Sequence, residues 1–248
     1  MKTHPHVKED PALIAGLAQA HEGTAFFTRL LDDLSYTELD GPSLLPHWSR
    51  KHVVAHIAYN AFAIGRLLEW ARTGVEHPMY ETATARDHEI EAGATLSHNS
   101  LRSLFDRSGA ELDAAWTGLG ANDWHKTVRT FQGREIHASE TVWMRTKEVW
   151  VHAVDLDGGA SFDDIPTIVL SRLLVDIAAA WHARGEGAGV VLKTVDGEGQ
   201  PLECGDTAAK DPVVVSGGLA DLTAWAAGRY TSGITSSSGT VPEAPRWI

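Results

Sequence analysis

Two short stretches decide how this chain folds and what it can bind: HVVAHIAYN at residues 52–60 and EVWVHAVD at residues 148–155. Both have the apolar spacing of amphipathic helices, and Glu148 and His152 lie four positions apart, so one helix points both side chains the same way. His56 on the other helix adds a second imidazole. Two histidines and one carboxylate leave a coordination position open, which is typical of a catalytic zinc site. A structural zinc site would use cysteines, and the chain has only Cys204.

The same residues also allow simpler interpretations. A lone histidine on an apolar helix face is more often a core or surface residue than a ligand. Arg145, Glu148, His152 and Asp155 form a polar stripe at steps of three and four. The stripe could be a surface salt-bridge ladder, although a buried carboxylate and imidazole are costly without a partner. The ligand set also describes non-haem iron oxygenases, whose sites usually lie in β-barrels, so the helical context favours zinc and leaves nickel, cobalt and iron open.

Composition excludes several classes of protein. At 248 residues with 43% hydrophobic and 22% charged residues, the chain has the composition of a soluble globular protein. No signal peptide and no stretch long enough to span a bilayer are found, so we expect a cytoplasmic protein with no membrane partner. A single cysteine excludes an intrachain disulfide framework. The formal net charge of −12 argues against nucleic-acid binding, and we expect a monomer.

Helical periodicity dominates the first part of the chain. It predicts four amphipathic helices, whose core is a usual place for metal ligands. A small hairpin, turning at Gln132-Gly133, is predicted before the fourth helix. The predicted helices cover residues 9–34, 50–73, 99–119 and 139–157, and residues 75–93 are expected to be irregular, part loop and part helix.

The pattern changes after residue 160. A helix over 166–184 is followed by strands within 189–203, with the turn DGEG at 196–199, by a strand at 212–216 and by a helix within 219–233. This order predicts a small mixed unit. The fold class is therefore α+β, with expected domains at 1–162 and 163–248.

Four segments carry a resemblance to a known family: LLPHWSRKHVVAHIAYNA (44–61), WARTGVEHPMYETATAR (70–86), SETVWMRTKEVWVHAVDL (139–156) and PVVVSGGLADLTAWAAGRYTSGITSSSGTVPEAPRWI (212–248). They resemble the mycothiol-dependent maleylpyruvate isomerases, nearly end to end, with the weakest agreement over 185–211. The resemblance implies a DinB-like four-helix bundle that bears zinc, followed by a C-terminal α/β domain resembling sterol-carrier folds.

The resemblance also implies roles for individual residues. The family's zinc ligands fall on His56, Glu148 and His152, whereas His52 matches without being a ligand. A family active-site arginine falls on Arg229, which by itself could be only a cation at a helix C-terminus. The aspartate of the HAVD motif is Asp155, expected to orient a ligand imidazole or Arg229.

We also single out candidates for binding the thiol cofactor, of which Asn60 shares a helix face with His56. Arg86 is otherwise an ordinary loop arginine. The predicted cofactor-binding residues are Arg86, Asn60 and Tyr59.

The implied activity is the isomerisation of maleylpyruvate, a dicarboxylate, to fumarylpyruvate in gentisate breakdown, with zinc and mycothiol as cofactors. A thiolate adds to the cis double bond, the resulting single bond rotates, and elimination gives the trans isomer. Arg229 is expected to stabilise the enolate charge or to bind a substrate carboxylate, in a cleft between the domains. Cys204 lies beside Glu203 and Asp206, which raise its pKa, so the thiol must come from outside.

Two other functions fit the same sequence. A mycothiol S-transferase would use the same zinc and thiolate but release a stable adduct, and it would lack a carboxylate-binding pocket in which Arg229 and Arg86 face the metal. A non-catalytic metal-binding module would hold a buried, four-coordinate metal with no cleft.

Overall fold

The computed structural model describes residues 10–195 and 201–247. The chain divides into two compact units, Met1–Ala160 and Ser161–Ile248. The first unit is helical, with one small hairpin. Its elements in chain order are α1 (Pro11–Asp33), α2 (Tyr36–Leu39), α3 (Arg50–Thr73), α4 (Ala85–Ala94), α5 (His98–Gly118), β1 (Thr127–Arg129), β2 (Glu135–His137) and α6 (Glu140–Asp155).

The ends of the long helices follow from local sequence signals. Asp10 caps α1 by accepting hydrogen bonds from the first amides of the helix. Ser49 is the N-cap of α3, and Gly74, with a φ of 75°, ends that helix in the left-handed conformation that glycine tolerates best. The four predicted long helices are therefore present as α1, α3, α5 and α6, and β1 and β2 form the predicted antiparallel hairpin.

The four long helices pack as neighbours around an apolar core. α1 lies against α6, and α3 lies against α4, α5 and α6. Phe27 of α1 stacks on Phe105 of α5 with ring centroids 5.2 Å apart. Where α1 approaches α6 most closely, a Cβ on Gly23 would lie 2.6 Å from atoms of both Trp150 and Val149, so only glycine fits there without a shift.

The second unit is a four-stranded sheet with two helices. Its elements are α7 (Thr167–Ala183), β3 (Val190–Thr194), β4 (Glu203–Gly205), β5 (Val213–Gly217), α8 (Leu219–Ala226) and β6 (Thr235–Ser236). The strand order is β4-β3-β5-β6, with β3 and β5 parallel and the outer strands antiparallel to their neighbours. α7 packs against α8 and β4. The predicted DGEG turn at 196–199 lies outside the described residues.

The α+β fold class predicted from the sequence is confirmed: a helical unit precedes a small unit built on a sheet. Two short elements, α2 and β6, were not predicted, and the last helix ends at Ala226, before the αL residue Gly228. Among the described residues, no helix combines the length and the apolar content that crossing a membrane requires.

Candidate metal centre

Helices α3 and α6 bring together the three residues that spacing singled out. His56 of α3 points its Nε2 at Glu148 of α6, with 2.8 Å between Nε2 and the carboxylate Oε2. His152, one turn beyond Glu148, places its Nε2 3.3 Å from the same oxygen. One ligand atom from each of the three residues lies within 4.8 Å of the others.

The group is buried within the helical unit. His56 and His152 are only 4% and 5% exposed, and Glu148 is partly covered. The neighbouring positions Val53, Ile57 and Val149 are fully buried as well. The polar stripe on α6 is therefore not a surface salt-bridge ladder.

Asp155 holds the ring of His152 from the other side. Its Oδ2 lies 2.8 Å from His152 Nδ1, and the residue is completely buried. With Nδ1 bound to a carboxylate, Nε2 is the nitrogen left to face Glu148. A carboxylate behind an imidazole is the usual partner of a metal-bound histidine, because it fixes both the tautomer and the orientation of the ring.

Burial and hydrogen bonds set the protonation of the three residues. Burial lowers the pKa of His56 to about 4, although Glu148 opposes that shift. Burial by itself would raise the pKa of Glu148, but hydrogen bonds from His152 and His56 outweigh it and hold that pKa well below its ordinary value. Burial opposes the charged form of His152, yet Asp155 and Glu148 together raise its pKa. A neutral His56 and an ionised Glu148 are the forms that bind metals.

The donor set fits a divalent metal ion. Two imidazole nitrogens and one carboxylate oxygen are ligands that zinc accepts, and ligands of a tetrahedral ion at about 2.0–2.2 Å lie about 3.3–3.6 Å from one another. The 3.3 Å between His152 Nε2 and Glu148 Oε2 lies in this range, whereas the 2.8 Å between His56 Nε2 and the same oxygen is a hydrogen-bond distance. His52 is outside the group: its Nδ1 lies 2.7 Å from Ser49 Oγ at the start of α3.

The residues predicted to bind the thiol differ in their burial and in their contacts. Asn60 is buried, and its Oδ1 accepts a hydrogen bond from Arg145. Tyr59 is partly exposed, and burial raises its pKa. Arg86 pairs with Asp87 at 3.0 Å, and its positive charge helps to lower the pKa of His56. Their role in binding mycothiol stays a prediction.

Three residues near the centre had not been assigned a role. Trp48 lies just before α3, with its ring centroid 5.6 Å from that of His56. Burial raises the pKa of Tyr80 to about 12, with Arg86 opposing the shift and Glu148 adding to it. Arg145 is only 1% exposed and donates to α3. The sequence could have indicated Arg145, because it lies one helical turn before Glu148 in the polar stripe. Trp48 and Tyr80 lie in irregular segments, where helical periodicity gives no information.

The remaining candidates belong to the second unit. Arg229 follows α8, where its Nη1 donates to Ala227 O at 2.6 Å and its guanidinium carbon lies 5.8 Å from the ring centroid of Trp247. It is a cation at a helix C-terminus, as its position suggested, and a catalytic role for it stays a prediction. Cys204 lies on β4, and burial, with the nearby Glu203, raises the pKa of its thiol to about 11. That value makes it a poor nucleophile.

Comparison with known proteins agrees with this architecture. The family model described as the mycothiol maleylpyruvate isomerase N-terminal domain matches residues 20–157, and the one described as the MDMPI C-terminal domain matches residues 164–246. The crystal structure of a mycothiol-dependent maleylpyruvate isomerase is 43% identical in sequence, with a TM-score of 0.90 and coverage of 100% of both chains.

A crystal structure of a histidine-to-alanine mutant of such an enzyme matches with the same identity, coverage and TM-score. A search of curated proteins found no match. Both units of the chain are thus matched along most of their length, and the chain belongs to the mycothiol maleylpyruvate isomerase family.

Proposed function

We propose that this protein is a zinc- and mycothiol-dependent isomerase that converts maleylpyruvate to fumarylpyruvate. The observation that carries the proposal is the buried group of His56, Glu148 and His152, in a chain 43% identical over its full length to an enzyme of that activity. When bound, zinc would supply a Lewis-acidic position that holds a thiol sulfur in its deprotonated form.

The protein's own residues then have separate tasks. His56, Glu148 and His152 would hold the ion, and Asp155 would orient the ring of His152 through the 2.8 Å contact to Nδ1. The chain needs an external thiol, because the pKa of about 11 leaves Cys204 protonated at neutral pH.

The reaction changes only the geometry of a double bond. A thiolate adds to one alkene carbon, and the π electrons move toward the conjugated carbonyl to form an enolate. The former double bond is now single and rotates. Return of the electrons re-forms the double bond in the trans geometry and expels the thiolate, so no atom is gained or lost.

Arg229 is our candidate for the cation that this reaction needs. Charge builds up on the enolate oxygen, and the substrate carries carboxylates throughout. A guanidinium can bind a carboxylate through two parallel hydrogen bonds or stabilise the enolate. Arg86, whose charge reaches His56, is our candidate for contacting the thiol cofactor.

The direct test is a spectrophotometric assay of maleylpyruvate with zinc-loaded protein, with and without mycothiol. We expect conversion to fumarylpyruvate only when mycothiol is present. No conversion by protein with confirmed metal content and bound thiol would contradict the isomerase and favour the S-transferase, to be tested with electrophiles. Conversion without any thiol would contradict the mechanism.

A further inference from the structure

Arg145 is a buried cation on α6 that reaches across to α3. Its Nη1 donates to the backbone carbonyl of Ile57 at 2.6 Å and to Asn60 Oδ1 at 3.0 Å. The residue is 1% exposed. Burial lowers the pKa of Arg145 to about 10, so the guanidinium is still charged at neutral pH.

These contacts lie beside the candidate metal ligands on both helices. Ile57 is the residue after His56 on α3, and Arg145 lies three residues before Glu148 on α6. The guanidinium therefore joins the ligand-bearing helices within one turn of the ligands on each side. A change in the spacing or rotation of α3 against α6 at this level would change the distance between His56 and Glu148.

Stability by itself gives no reason for a guanidinium at this position. Its Nη2 is buried and has no hydrogen-bond partner among the described residues. Ile57 lies inside α3, where its carbonyl already faces an amide of the same helix. Both of its hydrogen-bond acceptors are neutral groups, which offset the cost of burying a charge less well than an ion pair would.

We infer that Arg145 is a positioning residue, which fixes α3 against α6 so that His56 meets Glu148 and His152 at the separation a metal ion needs. The inference rests on the proposed function, because it takes these three residues as metal ligands. Arg145 would then set the geometry of the metal ligands and would not itself contact substrate or thiol.

The test compares Arg145→Met with Thr146→Val. Thr146 is the next residue on α6, equally buried, and its hydroxyl bonds only to Val142 O within its own helix in the described structure. For each variant we would measure the Co²⁺ and Zn²⁺ dissociation constants by competition with a chromophoric chelator, the visible spectrum of the Co²⁺ form, and the melting temperature of the metal-free protein.

We expect Arg145→Met to weaken metal binding roughly 10- to 100-fold, as loss of a group that orients ligands usually does. Its Co²⁺ spectrum should change, while its metal-free melting temperature stays close to that of Thr146→Val. Arg145→Lys, which keeps the charge but has no planar fork, should fall between wild type and Arg145→Met.

Two results would overturn the inference. One is wild-type metal affinity and an unchanged Co²⁺ spectrum in Arg145→Met. The other is a loss of metal affinity in Arg145→Met that Thr146→Val shows to the same extent, when the two variants have lost the same amount of melting temperature. If Arg145→Met does not fold, the same criteria apply to Arg145→Lys. Wild-type protein that binds neither metal would contradict the proposed function itself, and the inference with it.

Discussion

The two units of this protein differ in what their cores contain. In the first unit the buried polar residues include His56, Arg145, His152 and Asp155, all ionisable. In the second unit the buried polar residues among those described are Thr194 and Thr223, and the latter satisfies its hydroxyl on Leu219 O of its own helix.

This difference indicates where function is located. Burying an ionisable group costs free energy unless a partner compensates it. The first unit carries four such groups within two facing helices. Among the described residues of the second unit, the buried side chains are apolar apart from two threonines. The candidate metal ligands therefore lie in the first unit, and among the described residues the second unit offers only surface or partly buried ionisable groups such as Arg229.

The largest effect should come from His56→Ala. We expect the variant to lose the metal and thiol-dependent turnover together, since two ligands are left where three are needed. His52→Ala, one turn earlier on α3, is the matched control and should keep both. The measurements are metal content and isomerase rate. If His56→Ala protein lacked the metal but kept full activity, a metal held in the first unit would not be needed for the reaction.

Arg229→Ala tests whether the second unit takes part in catalysis. We expect it to retain the metal and to lose about 100- to 1,000-fold in kcat/KM, the usual cost of removing a preorganised group that stabilises negative charge. Arg229→Lys, which keeps the charge without the fork, should recover part of the loss. The measurement is kcat/KM of the metal-loaded variants under steady-state conditions. A wild-type kcat/KM in Arg229→Ala would show that Arg229 takes no part in catalysis.

Asp155→Asn should have a smaller effect on the metal than removing a ligand. The amide keeps the shape but not the negative charge that holds His152 Nδ1, so we expect metal affinity to fall roughly 10- to 100-fold. Asp157→Asn is the control, because that carboxylate is half exposed and pairs with Arg50 instead. Chelator competition gives both dissociation constants. Equal affinities in the two variants would show that Asp155 does not support the ligand.

Packing in the first unit can be tested apart from its polar groups with two glycine substitutions. Gly23→Ala would place a Cβ 2.6 Å from Trp150 and Val149, whereas Gly65→Ala on α3 meets open space. Both gain up to about 1 kcal/mol of helix propensity, but overpacking at Gly23 costs about 1–3 kcal/mol. We therefore expect a lower melting temperature for Gly23→Ala and a higher one for Gly65→Ala. The same direction in both would mean that α1 and α6 are not tightly packed.

The smallest effect should be that of Cys204→Ser in the second unit. With a pKa of about 11, the thiol of Cys204 is only about 0.1% ionised at pH 8, and its reactivity should rise as the pH approaches 11. We expect unchanged isomerase kinetics in Cys204→Ser and slow alkylation of the wild-type thiol at pH 8. A loss of turnover in Cys204→Ser would place a nucleophile in the chain itself.

Features encoded locally could be predicted from the sequence. The limits of α3 follow from Ser49 and Gly74, and the hairpin from its turn around Gly133. Glu148 and His152 share a face because they are four residues apart. The resemblance supplied the family, which the comparisons confirm.

Features that depend on distant contacts could not be predicted in this way. Nothing in the sequence pairs Arg145 with Ile57 and Asn60, because α3 and α6 meet only in the folded unit. The contact between Arg229 and Trp247 likewise joins two positions that no helix or strand periodicity relates. Periodicity indicates which face of a helix is buried, but not which polar atoms on two buried faces will meet.

The distance along the chain between the ligands has a consequence for how the protein folds. Glu148 and His152 are neighbours on one helix, but His56 is 92 residues from Glu148. Closing a loop of that length costs entropy before any contact rewards it. The third ligand therefore joins the other two only when α3 and α6 dock, so a metal that needs all three ligands would report on the docking of these two helices.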